Sequence, residues 1–168
     1  LDEIHSLAPS LQEKLLRVLQ EKEIRRVGSD HTLPIDVRFI TATNLDLARH
    51  CEKGNFRWDL YHRLHVLPIT LSPLRERKED LPQLGSHILD RIEGESGRSH
   101  YLTPCALKRL QEYDWPGNIR ELENVLRYAV AIADSEAITE ELFAFLQKGK
   151  PRLHVPELFT IEEYSRRA

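Results

Sequence analysis

Apolar positions recur at helical spacing over residues 9–21, where Leu11, Leu15, Leu16 and Leu19 fall at i, i+4, i+5 and i+8. Pro9 suits the first turn of that helix. Two short extended runs, 24–27 and 32–35, flank Gly28-Ser29-Asp30 and predict a hairpin. Residues 37–42 read as a strand with Asn44 just past its end, 45–53 and 56–64 as short helices, and 66–71 as a further strand. Leu1-Asp2-Glu3-Ile4 reads as the end of another strand, whose beginning would lie upstream. Strands alternating with helices imply a parallel sheet with crossovers.

The pattern changes at Ser72-Pro73-Leu74-Arg75-Glu76-Arg77. Beyond it no run reads convincingly as a strand. Helices are predicted over 80–92, from the Thr103 cap and Pro104 to about 113, over 118–133, and from a Thr139 cap to about 147. Gly149, Pro151 and Pro156 mark 148–158 as a linker, and Thr160 with Glu163 forms a capping box opening a last helix. The fold class is therefore α/β over 1–72, with parallel sheet and helices, followed by an all-α portion over 73–147 and a tail over 148–168.

Composition narrows the class without naming it. The chain has 168 residues, 40% apolar and 30% charged, an ordinary globular balance. A net charge of -3 excludes a global basic field for nucleic acid. Of the 24 basic residues 17 are Arg, the side chain suited to bidentate contact with phosphate or carboxylate. Cys51 and Cys105 form no framework, so a reducing cytoplasm is the expected setting. The opening residues do not read as a secretory leader, and no apolar run approaches the roughly 18 residues that span a bilayer, so neither export nor a membrane role is expected.

Four places carry candidate chemistry. Asp2 and Glu3 follow an apolar residue at a strand end. There one carboxylate can hold Mg²⁺ on a nucleotide and its neighbour can polarise water, although two solvated acids at a turn is the commoner reading of such a pair. Asn44, at the end of an adjacent strand, either orients that water or caps the next helix. Arg57 and Arg63 lie six residues apart. In one helix that is a rotation of about 600°, so they need not share a target; each either reaches a phosphate in a neighbouring subunit or pairs with a surface carboxylate. Pro116-Gly117-Asn118 turns the chain and places Arg120 in a helix first turn, where the macrodipole disfavours a cation. That placement points to an external anion, against pairing with Glu121 or Glu123. His62 and His65 have HxxH spacing without a third metal ligand, and Cys51 reads as packing.

In order and spacing these segments resemble the sigma-54 interaction domain of the AAA+ ATPases. The resemblance rests on Leu11 through Glu21, Val27-Gly28, Asp36-Val37-Arg38 with Ala42-Thr43-Asn44, and Phe56-Arg57 with Asp59-Leu60-Tyr61 and Arg63-Leu64. It continues through Pro73 to Arg77 and Trp115 to Asn118 with Arg120-Glu121-Leu122. It implies the later part of an AAA+ P-loop core followed by a helical lid. It makes Asp2 and Glu3 the Walker B acids, with Asp2 holding Mg²⁺ through the nucleotide. Asn44 becomes the first sensor, Arg57 and Arg63 the arginines offered across a subunit interface, and Arg120 the second sensor. ATP and Mg²⁺ are the implied cofactors, with Asp2, Asn44 and Arg120 at the nucleotide. The implied partners are other copies in a ring, commonly a hexamer, the sigma-54 RNA polymerase holoenzyme, and promoter-upstream DNA through a domain following residue 168. Together these describe a signal-responsive transcription activator.

Trp58 departs from the family, which has a polar or small residue there, and no GxxxxGK[ST] run occurs in the 168 residues. The loop that touches sigma-54 also lies upstream of Walker B in the family. The chain alone is thus expected not to hydrolyse ATP, and its incomplete sheet to promote self-association. Another AAA+ remodeller, of chelatase or helicase-loader type, shares the acids, sensors and lid but not the runs at Pro73–Arg77 and Trp115–Glu121. A non-enzymatic helical module binding DNA or protein would leave the strand-end acids and the arginine pair as coincidences.

Overall fold

The computed structural model describes residues 1–29 and 31–146, and the chain divides into two units, Leu1–Thr70 and Leu71–Ala168. The predicted linker and capping box at 148–163 lie outside the described residues.

In the first unit α1 spans Pro9–Glu21, as the apolar spacing predicts, and stops where Lys22 turns left-handed at φ 54° and returns its N–H to Val18 O. Its inward face differs from the prediction. Leu11 is 47% exposed, whereas Gln12 is buried to 1%. The hairpin forms as β1 (Glu23–Arg25) and β2 (Thr32–Pro34), antiparallel with Ile24 opposite Leu33. Two short helices follow, α2 (Leu47–Glu52) and α3 (Trp58–Leu64). Buried Cys51 and Leu60 from these helices, and Phe56 from the loop between them, close on Ile4 and Leu16 to make this unit's core.

The strands expected at 37–42 and 66–71 are not strands here. A strand exists only through a ladder partner. Residues 40–42 keep part of one. Leu1 N donates to Ile40 O at 2.8 Å, Ala42 N to Leu1 O at 2.9 Å, and Ile4 N to Ala42 O at 3.1 Å, so the two segments run in the same direction. Residues 66–70 find no ladder among the described residues, and Val66, Leu67 and Ile69 are each more than three-quarters exposed.

The second unit is built from α4 (Leu81–Ser96), α5 (Pro104–Glu112) and α6 (Asn118–Ile132). Thr103 caps α5 as predicted, its Oγ1 accepting from Ala106 N at 3.3 Å. The helix expected after Thr139 is a short 3-10 turn over Glu140–Phe143. Phe143 and Leu146 nonetheless enter a core shared with Leu81, Leu110, Trp115, Leu122 and Leu126. Two strands of two residues each, β3 (Tyr101–Leu102) and β4 (Ala137–Ile138), pair in parallel. They are too short for any periodicity to register. Gly85 of α4 lies so near β3 that a Cβ there would stand 2.7 Å from Leu102 Cδ1.

Candidate functional site

Asp2 and Glu3 end the segment that runs beside residues 40–42. Asp2 Oδ1 accepts from Glu3 N at 2.9 Å. Glu3 sits in the left-handed region, φ 49° and ψ 45°, a conformation that costs an L-residue on the order of 1–2 kcal/mol. Ser6 holds the turn, its N and Oγ both donating to Glu3 O at 2.9 and 2.8 Å. Both acidic side chains are exposed.

Asn44 is exposed too, and its side chain makes no hydrogen bond among the described residues. The cap of α2 is Asp46, whose Oδ1 accepts from Ala48 N at 3.0 Å and Arg49 N at 3.3 Å. Asn44 is therefore not the cap. The bonds joining Leu1 and Ile4 to residues 40–42 bring Asp2, Glu3 and Asn44 to neighbouring backbone segments. A side-chain bridge reinforces this: His5 Nε2 stands 3.2 Å from Glu3 Oε2, and His5 Nδ1 stands 3.0 Å from Thr43 Oγ1, the residue before Asn44.

Arg57 and Arg63 fall into different states. Arg57 is not helical; it precedes α3 with ψ 135°. Its guanidinium forks onto Asp59, Nε to Oδ1 at 3.0 Å and Nη2 to Oδ2 at 2.6 Å. The hydrogen bond from Arg57 holds the Asp59 carboxyl below its ordinary range, and the same bond raises Arg57. Arg63, in the last turn of α3, is exposed and has no ion pair among the described residues. Pairing with a surface carboxylate thus describes Arg57 and not Arg63. Trp58, 46% exposed, stacks on His62 at 5.8 Å, while Tyr61 stacks on His65 at 4.9 Å.

In the second unit Arg120 lies one residue before a carboxylate committed elsewhere. Glu121 accepts from Tyr113 Oη at 3.0 Å and from Gly117 N at 2.8 Å. Burial first, and then Glu121, push the Tyr113 phenol up to about 12. Glu123 pairs with Arg91 and with Arg127; the Arg91 bond is the main reason its carboxyl lies below the usual range. Arg120 itself is exposed, without an ion pair among the described residues. At the start of α6 the two turn residues divide the work. Gly117 is the cap residue, and Asn118, at φ 53°, turns its Oδ1 to accept from Leu74 N at 2.8 Å. A Cβ on Gly117 would lie 2.7 Å from Glu121 Cβ, so glycine keeps the carboxylate at the helix start.

Two residues escaped the sequence reading. One is His5. The other is Gln12, whose Nε2 donates to Leu7 O at 2.9 Å and Asn55 O at 3.1 Å while its Oε1 accepts from Arg57 N at 3.0 Å. A buried amide thus fixes the backbone that carries Arg57. The only signal available in the sequence was a polar residue one place from an apolar helix position.

Comparison with known proteins follows the same division. The model of the Sigma-54 interaction domain matches residues 1–70, and that of the AAA+ ATPase lid domain matches residues 75–155. The chain is 45% identical over 151 residues to the Nif-specific regulatory protein of Klebsiella pneumoniae, covering 90% of this chain and 29% of that protein. It is 49% identical over 142 residues to the transcriptional regulatory protein ZraR of Salmonella typhimurium, covering 83% and 32%. It therefore spans roughly a third of the length of these curated relatives. Among solved structures it resembles NtrX from Brucella abortus in complex with ADP, with TM-score 0.76 and 31% identity over 99% of this chain and 39% of that one. The complex of the same protein with ATP matches at TM-score 0.76 and 30% identity, covering 98% and 40%.

Proposed function

The chain belongs to the sigma-54 interaction family of AAA+ proteins, and from that premise we propose that it is the later part of an ATP-dependent activator of sigma-54 RNA polymerase. Residues 1–72 are then the second part of the α/β core, 73–147 its lid, and 148–168 the start of a connection to a DNA-binding domain. The match of residues 1–70 to the sigma-54 interaction model carries this reading. The NtrX structures, solved with ADP and with ATP, supply the nucleotide class.

The side chains present fit Mg²⁺ and ATP as ligands. Asp2 offers an exposed carboxylate to a cation, and Arg63 and Arg120 offer guanidinium groups without an anion of their own among the described residues. When bound, Mg²⁺-ATP supplies a terminal phosphoryl group for transfer to water. Asp2 would hold the metal, and Glu3 would accept the proton of the attacking water. Asn44, with its amide uncommitted, would orient that water. Arg63, and Arg57 once it leaves Asp59, would neutralise charge on the phosphoryl group bound by a neighbouring subunit of a ring. Arg120 would read the phosphates from the lid. Since the 168 residues hold no GxxxxGK[ST] run, hydrolysis is expected of a longer protein that includes one.

The test is ATP turnover by that full-length protein. Glu3→Gln should lower kcat by about 10²-fold or more while ATP still binds. Turnover within about twofold of the unmodified protein would overturn the assignment of Glu3 and, with it, the Walker B reading.

A further inference from the structure

We propose that His5 is a positioning residue that holds the Glu3 carboxylate and ties it to the segment carrying Asn44; this rests on the reading of Glu3 and Asn44 given above. The ring lies between two partners, Nε2 at 3.2 Å from Glu3 Oε2 and Nδ1 at 3.0 Å from Thr43 Oγ1. Its side chain is 16% exposed against 49% for Glu3, so the better-buried ring is the anchor and the carboxylate the group anchored. His50 lies beside it, ring centroids 5.8 Å apart, and limits the ring's lateral freedom.

The hydrogen-bond inventory leaves one consistent arrangement for Nε2. A carboxylate only accepts, so Nε2 carries the proton that Glu3 receives. At the other end Thr43 Oγ1 already accepts from Leu45 N at 3.1 Å. With a neutral ring the threonine hydroxyl donates to Nδ1. With a charged ring Nδ1–H donates to Oγ1 and the hydroxyl turns to Leu45 O at 3.4 Å. Both states satisfy every group, so the bridge needs no particular charge on His5.

The bridge does two things for Glu3. It removes rotamer freedom from an exposed side chain whose backbone is already confined to the left-handed region. It also makes the carboxylate follow Thr43, so a displacement of residues 43–45 reaches the group that receives a proton from water. Asn44, inside that segment, and Glu3 then move as a pair without a hydrogen bond between them. The orienting role is the one partners outside the reacting shell commonly play, and its loss typically costs 10–100-fold.

The experiment compares variants of the full-length protein. His5→Ala should lower kcat for ATP hydrolysis about tenfold with KM for ATP within about twofold. His5→Gln, whose amide nitrogen reaches the place of Nε2, should recover most of that loss. His5→Asn, whose amide stops at the place of Nδ1, should not. Glu3→Gln is assayed alongside. If Glu3→Gln is inactive while His5→Ala turns over normally, or while the Gln and Asn variants behave alike, the positioning role is overturned and the reading of Glu3 stands. If Glu3→Gln itself turns over normally, the reading fails and the positioning role with it. A second readout needs neither nucleotide nor turnover. The ¹⁵N spectrum of the His5 ring should show a proton on Nε2 whose exchange with solvent speeds up in Glu3→Ala, and a proton found on Nδ1 alone would overturn the bridge.

Discussion

Replacing Gln12 by Leu removes three hydrogen bonds at once and strands Arg57 N, Leu7 O and Asn55 O in part-buried positions. At roughly 1 kcal/mol net for each bond, and more for an orphaned donor, the loss is about 3–5 kcal/mol. The apolar side chain returns about 1 kcal/mol, which leaves a net destabilisation of about 2–4 kcal/mol. Leu11→Ala, one residue away on the exposed side of α1, should cost less than about 0.5 kcal/mol. The assay is amide hydrogen exchange, read at Leu16 and Leu60 so that it reports the first unit by itself. Gln12→Leu should speed their exchange roughly 30- to 700-fold, and Leu11→Ala less than about threefold. The reverse order, with Leu11→Ala the costly change and Gln12→Leu nearly silent, would restore the simple apolar stripe and refute the buried amide.

Arg120→Ala should leave the second unit folded and stabilise it by a few tenths of a kcal/mol, because a cation leaves a helix start, while ATP turnover by the full-length protein falls; thermal unfolding and hydrolysis read the two effects. Unfolding by several kcal/mol with normal turnover would make Arg120 a structural residue. Tyr113 should contribute stability in full below its ordinary value of 10 and lose it as pH rises to about 12, since burial and Glu121 favour the neutral phenol of the folded state. Ultraviolet titration of the phenol beside pH-dependent unfolding checks this, and ionisation of Tyr113 near 10 would contradict it. Asp59→Asn should leave α3 formed and release Arg57, seen as greater mobility of its side-chain Nε–H by NMR; an unchanged Nε–H signal would deny that Asp59 holds it.

Helices were largely legible because they make their own hydrogen bonds, although the one expected after Thr139 shrinks to a 3-10 turn. The Leu15, Leu16 and Leu19 spacing with Pro9 in front predicts α1, and Thr103-Pro104 predicts the start of α5. Among strands the hairpin was legible, since its two partners lie only a few residues apart, but a strand is a relation between segments, and 66–70 has the composition of one with no ladder among the described residues. The candidate site divides along the same line. The oddity of Arg120 could be read from position alone, and the structure sharpens it by committing Glu121 and Glu123 elsewhere. His5 and Gln12 could not be read, since their partners Thr43, Asn55 and Arg57 lie about 40 residues away and meet them only once the chain has folded. The roles of Asp2, Glu3, Asn44, Arg57 and Arg63 come from resemblance, because each local pattern is too short to specify them alone.

If, as proposed, a carboxylate of one subunit and an arginine of its neighbour make one active site, mixing two inactive variants should restore turnover. In the full-length protein Glu3→Gln lacks the carboxylate, and Arg63→Ala should lose about 10³-fold in turnover as a missing finger. Each alone should be nearly silent. In a random equal mixture about a quarter of interfaces pair an intact Glu3 with an intact Arg63, so turnover should recover toward that fraction of the unmodified rate. No recovery on mixing, or an Arg63→Ala protein that hydrolyses ATP at the unmodified rate, would contradict the account.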